Sequence, residues 1–102
     1  MNRYRDEVEK HSRRFLPEVK QAIKALDHEV RLAVVSALEQ HGDLSFSELR
    51  GLLKISKSDF YYHLKQLKMG GIVRSYSREK MEISPYTSYY GLTDLGKSFI
   101  TA

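Results

Sequence analysis

The chain has 102 residues, no cysteine, no tryptophan and a formal net charge of +4, from 17 Lys+Arg against 13 Asp+Glu. Such a length fits one domain over residues 1–102 and leaves little interior for a deep substrate pocket beside a packed core. The missing thiols exclude a disulfide framework, a cysteine zinc finger, a thiol nucleophile and a thiol-based redox or soft-metal sensor.

The opening run Met1-Asn2-Arg3-Tyr4-Arg5-Asp6-Glu7 lacks the apolar stretch of a signal peptide. The longest aliphatic run, Leu32-Ala33-Val34-Val35, is far too short to span a bilayer. The expectation is a soluble, cytoplasmic protein without membrane contact. Apolar groups recur at Tyr4, Val8, His11 and Phe15, which is a helical stripe. Pro17 interrupts it, because proline lacks an amide donor and disfavours a helical Leu16. The stripe resumes at Leu16, Val19, Ile23 and Leu26. This pattern predicts either a kinked helix or two helices meeting near Leu16.

Asp27 is the expected N-cap of the next helix, with Glu29 in its first turn. Val30, Val34, Ala37 and Leu38 form its apolar face, and Gly42 follows His41 as a left-handed cap. Leu44 is a candidate one-bridge strand. Ser45-Phe46-Ser47-Glu48 is a capping box that opens a short helix to about Leu53, carrying Phe46, Leu49, Leu52 and Leu53. Lys54-Ile55 makes a tight connection. Ser56-Lys57-Ser58-Asp59 reads as a second cap, with Ser56 at the N-cap and Asp59 three residues on. The helix after it runs to Met69 with Phe60, Leu64 and Leu67 inward, and Gly70-Gly71 stops it. Residues 72–76 and 87–92 read as antiparallel strands, joined by a polar segment that contains Pro85. Thr93 caps a last short helix with Leu95, Phe99 and Ile100. The expected fold is mainly α with a small β-hairpin: a winged helix-turn-helix, whose second helix enters the DNA major groove.

The charge is concentrated. Residues 1–53 carry nine basic and nine acidic side chains, residues 54–80 carry seven and two, and residues 81–102 carry one and two. The +5 excess of the middle stretch falls on the second helix and the wing, the footprint of a phosphate-binding surface or else a solvated lysine-rich face. With Phe60, Leu64 and Leu67 inward, the opposite face of the helix shows Lys57, Ser58, Tyr61, Tyr62 and Lys65, with Ser56 just ahead of it. Ser, Tyr and Lys donate to phosphates, Lys also reaches guanine, and helix N-terminal amides suit a phosphate. Each tyrosine is either a DNA contact or half-buried packing. Arg74, Arg78 and Lys80 on the wing are candidates for minor-groove insertion, against a plain charged loop.

His11, His28, His41 and His63 form no metal-ligand spacing, and His63 reads as a residue that packs or bonds within the fold. No nucleophile–base arrangement, phosphate-binding glycine loop or cofactor motif occurs, so neither an enzyme nor a bound cofactor is expected. The apolar stripe of residues 1–26 exceeds what a small core needs. Pairing with a second copy is favoured, through Tyr4, Val8, His11, Phe15, Leu16 and Val19, with Phe99 and its neighbours as minor partners.

The run Ala25-Leu26-Asp27-His28-Glu29-Val30-Arg31-Leu32 resembles the opening of ArsR-like winged-helix regulators. So do Leu44-Ser45-Phe46-Ser47-Glu48-Leu49, Phe60-Tyr61-Tyr62-His63-Leu64-Lys65-Gln66-Leu67, Gly70-Gly71-Ile72-Val73 and Tyr90-Gly91-Leu92-Thr93-Asp94-Leu95-Gly96. The resemblance covers about residues 25–100. It implies a dimeric transcription factor, often a repressor, of a kind frequent in archaea and bacteria, which uses the 57–68 helix and the 74–88 wing on DNA. Metal-sensing members carry cysteines where this chain has Glu48-Leu49-Arg50-Gly51-Leu52-Leu53, so that route is closed. Arg50 stands where a small residue is usual and Lys54 where glycine is usual, so Lys54 is expected at a positive φ. The leading reading is thus a sequence-specific regulator of double-stranded DNA acting as a homodimer. The alternative is a winged-helix module that binds protein within a larger assembly, and a third is a switch whose small-molecule effector lies at the dimer interface.

Overall fold

Two helices, not one kinked helix, form the N-terminal segment. In the computed structural model, which describes residues 3–78 and 87–100, they are α1 (Arg3–Ser12) and α2 (Pro17–Ala25). Pro17 takes the first helical position, where its missing amide costs nothing, and Leu16 before it is extended at φ −63°, ψ 145°. The chain then forms α3 (Glu29–His41), β1 (Leu44–Ser45), α4 (Phe46–Leu53), α5 (Lys57–Met69), β2 (Val73–Tyr76), β3 (Tyr89–Leu92) and α6 (Asp94–Ser98). Pro85 lies outside the described residues. Among the described residues no helix is long and apolar enough to cross a membrane.

The cap of α3 falls one residue later than expected. The amide of Asp27 still donates to the Lys24 carbonyl, closing α2. His28 is therefore the extended residue, and its Nδ1 accepts from the Val30 amide at 3.1 Å. The capping box of α4 forms in both directions: Glu48 N donates to Ser45 Oγ at 3.1 Å and Ser45 N donates to Glu48 Oε1 at 3.0 Å. The second cap does not form in that way. Ser56 Oγ donates to Asp59 Oδ2 at 2.8 Å and no side-chain bond caps α5.

The turn between α4 and α5 depends on two unusual residues. Lys54 sits in the left-handed region at φ 54°, ψ 48°, as the sequence predicts. Arg50 spans the turn, with Nε donating to the Ile55 carbonyl at 3.0 Å. Relieving Lys54 with glycine removes the Cβ clash at the expense of a more flexible unfolded chain. Lys54→Gly is expected to raise stability by about 0.5–1 kcal/mol, read as a higher denaturant midpoint at unchanged slope.

The sheet has three strands in the order β1-β3-β2, all antiparallel, because β1 adds to the expected hairpin. Leu44 pairs with Tyr90, and Val73 with Leu92 through Tyr76 with Tyr89. Phe60, Leu49, Leu64, Leu67, Ile72 and Val34 are the largest fully buried side chains. The Phe46 and Phe60 rings meet at 5.3 Å and 51°, joining the first helix of the motif to the second.

One apolar expectation is corrected. Leu52 is 49% exposed rather than inward. In α2 the inward residues are Ala22 and Ala25, while Leu16, Val19 and Ile23 face outward. The reason is the close approach of α2 to the end of α5. A Cβ on Gly70 would collide with the Cβ of Ala25, so only small side chains fit that crossing. Every described side chain from Tyr4 to His11 is exposed. The radius of gyration is 16.2 Å with extents of 55 × 30 × 26 Å, against ~13 Å for a compact chain of this length. The exposed α1, unlike the packed α2, is the part of the chain that fits this elongation.

Candidate nucleic-acid interface

Burial of Phe60, Leu64 and Leu67 fixes the rotation of α5 and thereby decides what its other side presents. Ser56, Lys57, Ser58, Tyr62 and Lys65 are all exposed, and Tyr62 is 53% accessible. Tyr61 divides from Tyr62. It is half-buried and packs against the core. It also lines a cleft between α5 and the sheet, with Lys65, Lys68, Ser75, Ser88 and Tyr90 among its walls. Lys68 was not singled out in the sequence, yet it adds a second lysine to this cleft. Tyr90 is buried, which pushes its phenol up to about 12, so it stays neutral at any physiological pH.

The wing base is ordered by a ladder of alternating cations and rings. Arg74, Tyr76 and Arg78 alternate along one strand direction and so share a face. Arg74 donates to Asp43 Oδ2 at 3.0 Å, and the Tyr76 hydroxyl donates to the same oxygen at 2.7 Å. The Arg74 guanidinium lies 5.0 Å from the centre of the Tyr76 ring. Tyr76 stacks on its strand partner Tyr89 at 5.9 Å, and the Arg78 guanidinium covers Tyr89 at 4.0 Å. Asp43 reaches this face because Gly91, opposite Arg74, has no Cβ to block its carboxylate. Arg74 is thus a partly neutralised member of a rigid platform, whereas Arg78 ends the ladder exposed. Lys80 lies outside the described residues. The partners Asp43, Tyr76 and Tyr89 were missed because their grouping depends on strand register, although the i, i+2, i+4 spacing of Arg74, Tyr76 and Arg78 carried part of the signal.

The remaining sequence-marked residues lie apart from this face. Tyr4, Val8, His11, Phe15, Leu16 and Val19 are exposed on α1, the connector and α2, and Phe99 is 44% exposed after α6. His63 is buried, in line with its sequence reading. Among the described residues no three His, Asp or Glu side chains converge as a metal site.

Comparison with known proteins bears on this arrangement. The family described as a helix-turn-helix domain matches residues 26–76, half of the chain. The chain belongs to the helix-turn-helix domain family. The matched stretch of this helix-turn-helix protein holds α3, β1, α4, α5 and β2. No curated protein sequence matches it. Among solved structures, it is similar to the transcriptional repressor BigR from Xylella fastidiosa, at 29% identity over 93% of this chain and 84% of that one, with a TM-score of 0.63. Reduced HlyU from Vibrio cholerae is similar at 27% identity over 91% and 87%, with a TM-score of 0.65. An ArsR family transcriptional regulator shares the fold at 18% identity over 80% and 82%, with a TM-score of 0.66. The helix-turn-helix chain therefore has the winged-helix fold of ArsR-like transcriptional regulators, and it has it without cysteine.

Proposed function

We propose that this chain is a single-domain, sequence-specific regulator of transcription that acts in the cytoplasm as a homodimer on double-stranded DNA. In this reading α5 enters the major groove, and the wing of residues 74–88 lies on the minor groove or the backbone. The observation that carries the reading is the exposed Ser56, Lys57, Ser58, Tyr62 and Lys65 face of the second motif helix, inside the one stretch with excess positive charge. Arg78 on its aromatic platform supplies a pre-oriented cation on the wing. The proposed activity is binding rather than catalysis, with no cofactor.

Titration against duplex DNA at several salt concentrations tests it. Each neutralised phosphate contributes about −0.9 to the log–log slope of affinity against salt. A double change, Tyr62→Ala with Lys65→Ala, is expected to weaken binding by about 10- to 100-fold while leaving the helical signal intact, since both side chains are exposed. No binding at low salt sinks the reading.

A further inference from the structure

The buried end of α3 holds a polar cluster on which the groove reading does not draw. Arg31 is only 9% exposed, yet among the described residues it forms no ion pair. Its Nε donates to His63 Nδ1 on α5 at 3.2 Å. Its NH1 donates to the Lys24 and Ala25 carbonyls at the end of α2, at 3.5 and 3.4 Å. Its guanidinium lies 5.8 Å from the centre of the Tyr62 ring. One side chain thus links the last carbonyls of the N-terminal segment to the helix that carries the proposed DNA face, and it borders an exposed residue of that face.

We propose that Arg31 is a positioning residue for the DNA-reading face, and that its bond to a neutral His63 makes DNA binding weaken on acidification. This inference rests on the reading of α5 as the DNA-binding helix. An imidazole nitrogen accepts a hydrogen bond only while unprotonated. A proton on His63 Nδ1 would turn an acceptor into a donor facing a guanidinium that is always charged. The groups around it offer little relief. On α3 stands Arg31, and at the N-cap of α3 stands His28, whose ring is 4.3 Å from that of His63. On α5 stand Tyr62, edge-on at 5.6 Å, and Asp59, whose carboxylate already accepts from Ser56. From α2 come the two carbonyls that Arg31 occupies. Burial, with His28 and Arg31 adding to it and Asp59 opposing, holds His63 below the usual histidine range. Once charged, His63 or Arg31 must leave its place, and Tyr62 and the α2–α5 link move with them.

The sign separates this device from ordinary electrostatics. Added positive charge on a DNA-binding protein strengthens its attraction to phosphate. Here acid is expected to do the opposite. The test measures the affinity of the full chain for a mixed-sequence DNA duplex at fixed salt, at about pH 7.5 and about pH 5.5. The expected result is a fall of about fivefold or more, with the helical signal unchanged. His63→Asn keeps an acceptor near the Nδ1 position but cannot gain a proton, and is expected to lose the fall. His28→Asn keeps an acceptor for the Val30 amide and is expected to retain it. Arg31→Met is expected to bind more weakly at the higher pH and to show no fall.

An affinity that rises or holds steady on acidification overturns the proposal, and so does a fall that persists in His63→Asn. A fall that accompanies loss of the helical signal, or that disappears in His28→Asn instead, overturns it as well. Absence of binding at both pH values overturns the DNA reading and this inference together, whereas binding with the wrong pH response overturns this inference alone.

Discussion

Phe60→Ala is expected to cost about 3–5 kcal/mol of folding stability, a large part of the 5–15 kcal/mol that a domain of this size holds. Phe60 is wholly buried as the fourth residue of α5, just after the motif's tight connection, and its ring rests on Phe46. The two rings come from opposite sides of the helix-turn-helix, so the cavity would open at the joint that sets the angle between α4 and α5. Leu52→Ala is the control. Its side chain is 49% exposed, and its loss is expected to cost under about 1 kcal/mol. Chemical denaturation of both variants decides the matter. A similar large loss at Leu52 would mean that α4 is rotated from the arrangement described.

That contrast shows where the sequence was legible. Cap chemistry is local and placed the starts of α4 and α6, while inward spacing placed Phe46, Leu49, Phe60, Leu64 and Leu67 in the core. The Ser45/Glu48 box formed in full, and Thr93 accepts from the Gly96 amide at 3.0 Å. The strained Lys54 was readable through the resemblance, because related motifs usually carry glycine at that position. What escaped depends on partners distant in sequence. Both Leu52 and Leu53 fit a helical stripe, and only the position of α3 decides that Leu53 packs on the core while Leu52 does not. In α2 the inward alanines were not singled out, because the crossing against Gly70 that admits only small side chains cannot be read from α2 alone. Arg31 was given no role of its own, because that role needs His63 from 32 residues away. Asp43 likewise meets Arg74 across 31 residues. The α5 face was legible because one helix carries it whole, and the wing platform was not because β2, β3 and the distant Asp43 assemble it.

The outward apolar face of α2 leads to the second large effect, on assembly. With the alanines inward, Leu16 is 65% exposed and Ile23 57%, and Phe15 beside them is 59% exposed. Ahead of them, α1 is a helix of 10 residues, below the ~12–15 at which an isolated helix becomes marginally stable in water. Its exposed ion pairs, such as Arg5–Glu9 at 3.8 Å, contribute little. A short helix that stands out from the domain and shows Tyr4 and Val8 gains most from burial against another surface. A symmetric second copy supplies a matching one. Leu16→Glu with Ile23→Glu is therefore expected to give a folded monomer, since neither side chain supports the core of its own protomer. Two linked half-site contacts exceed one by about 10²–10⁴ in affinity, so the monomer is expected to lose DNA binding by that factor. Solution mass and DNA titration of the same sample read both consequences. A variant that stays dimeric would move the seam away from α2. A monomer that binds DNA as tightly as the parent would remove any need for pairing. A parent chain that is itself monomeric, and orders α1 only on a different protein, would turn the apolar stripe into a docking surface within a larger assembly.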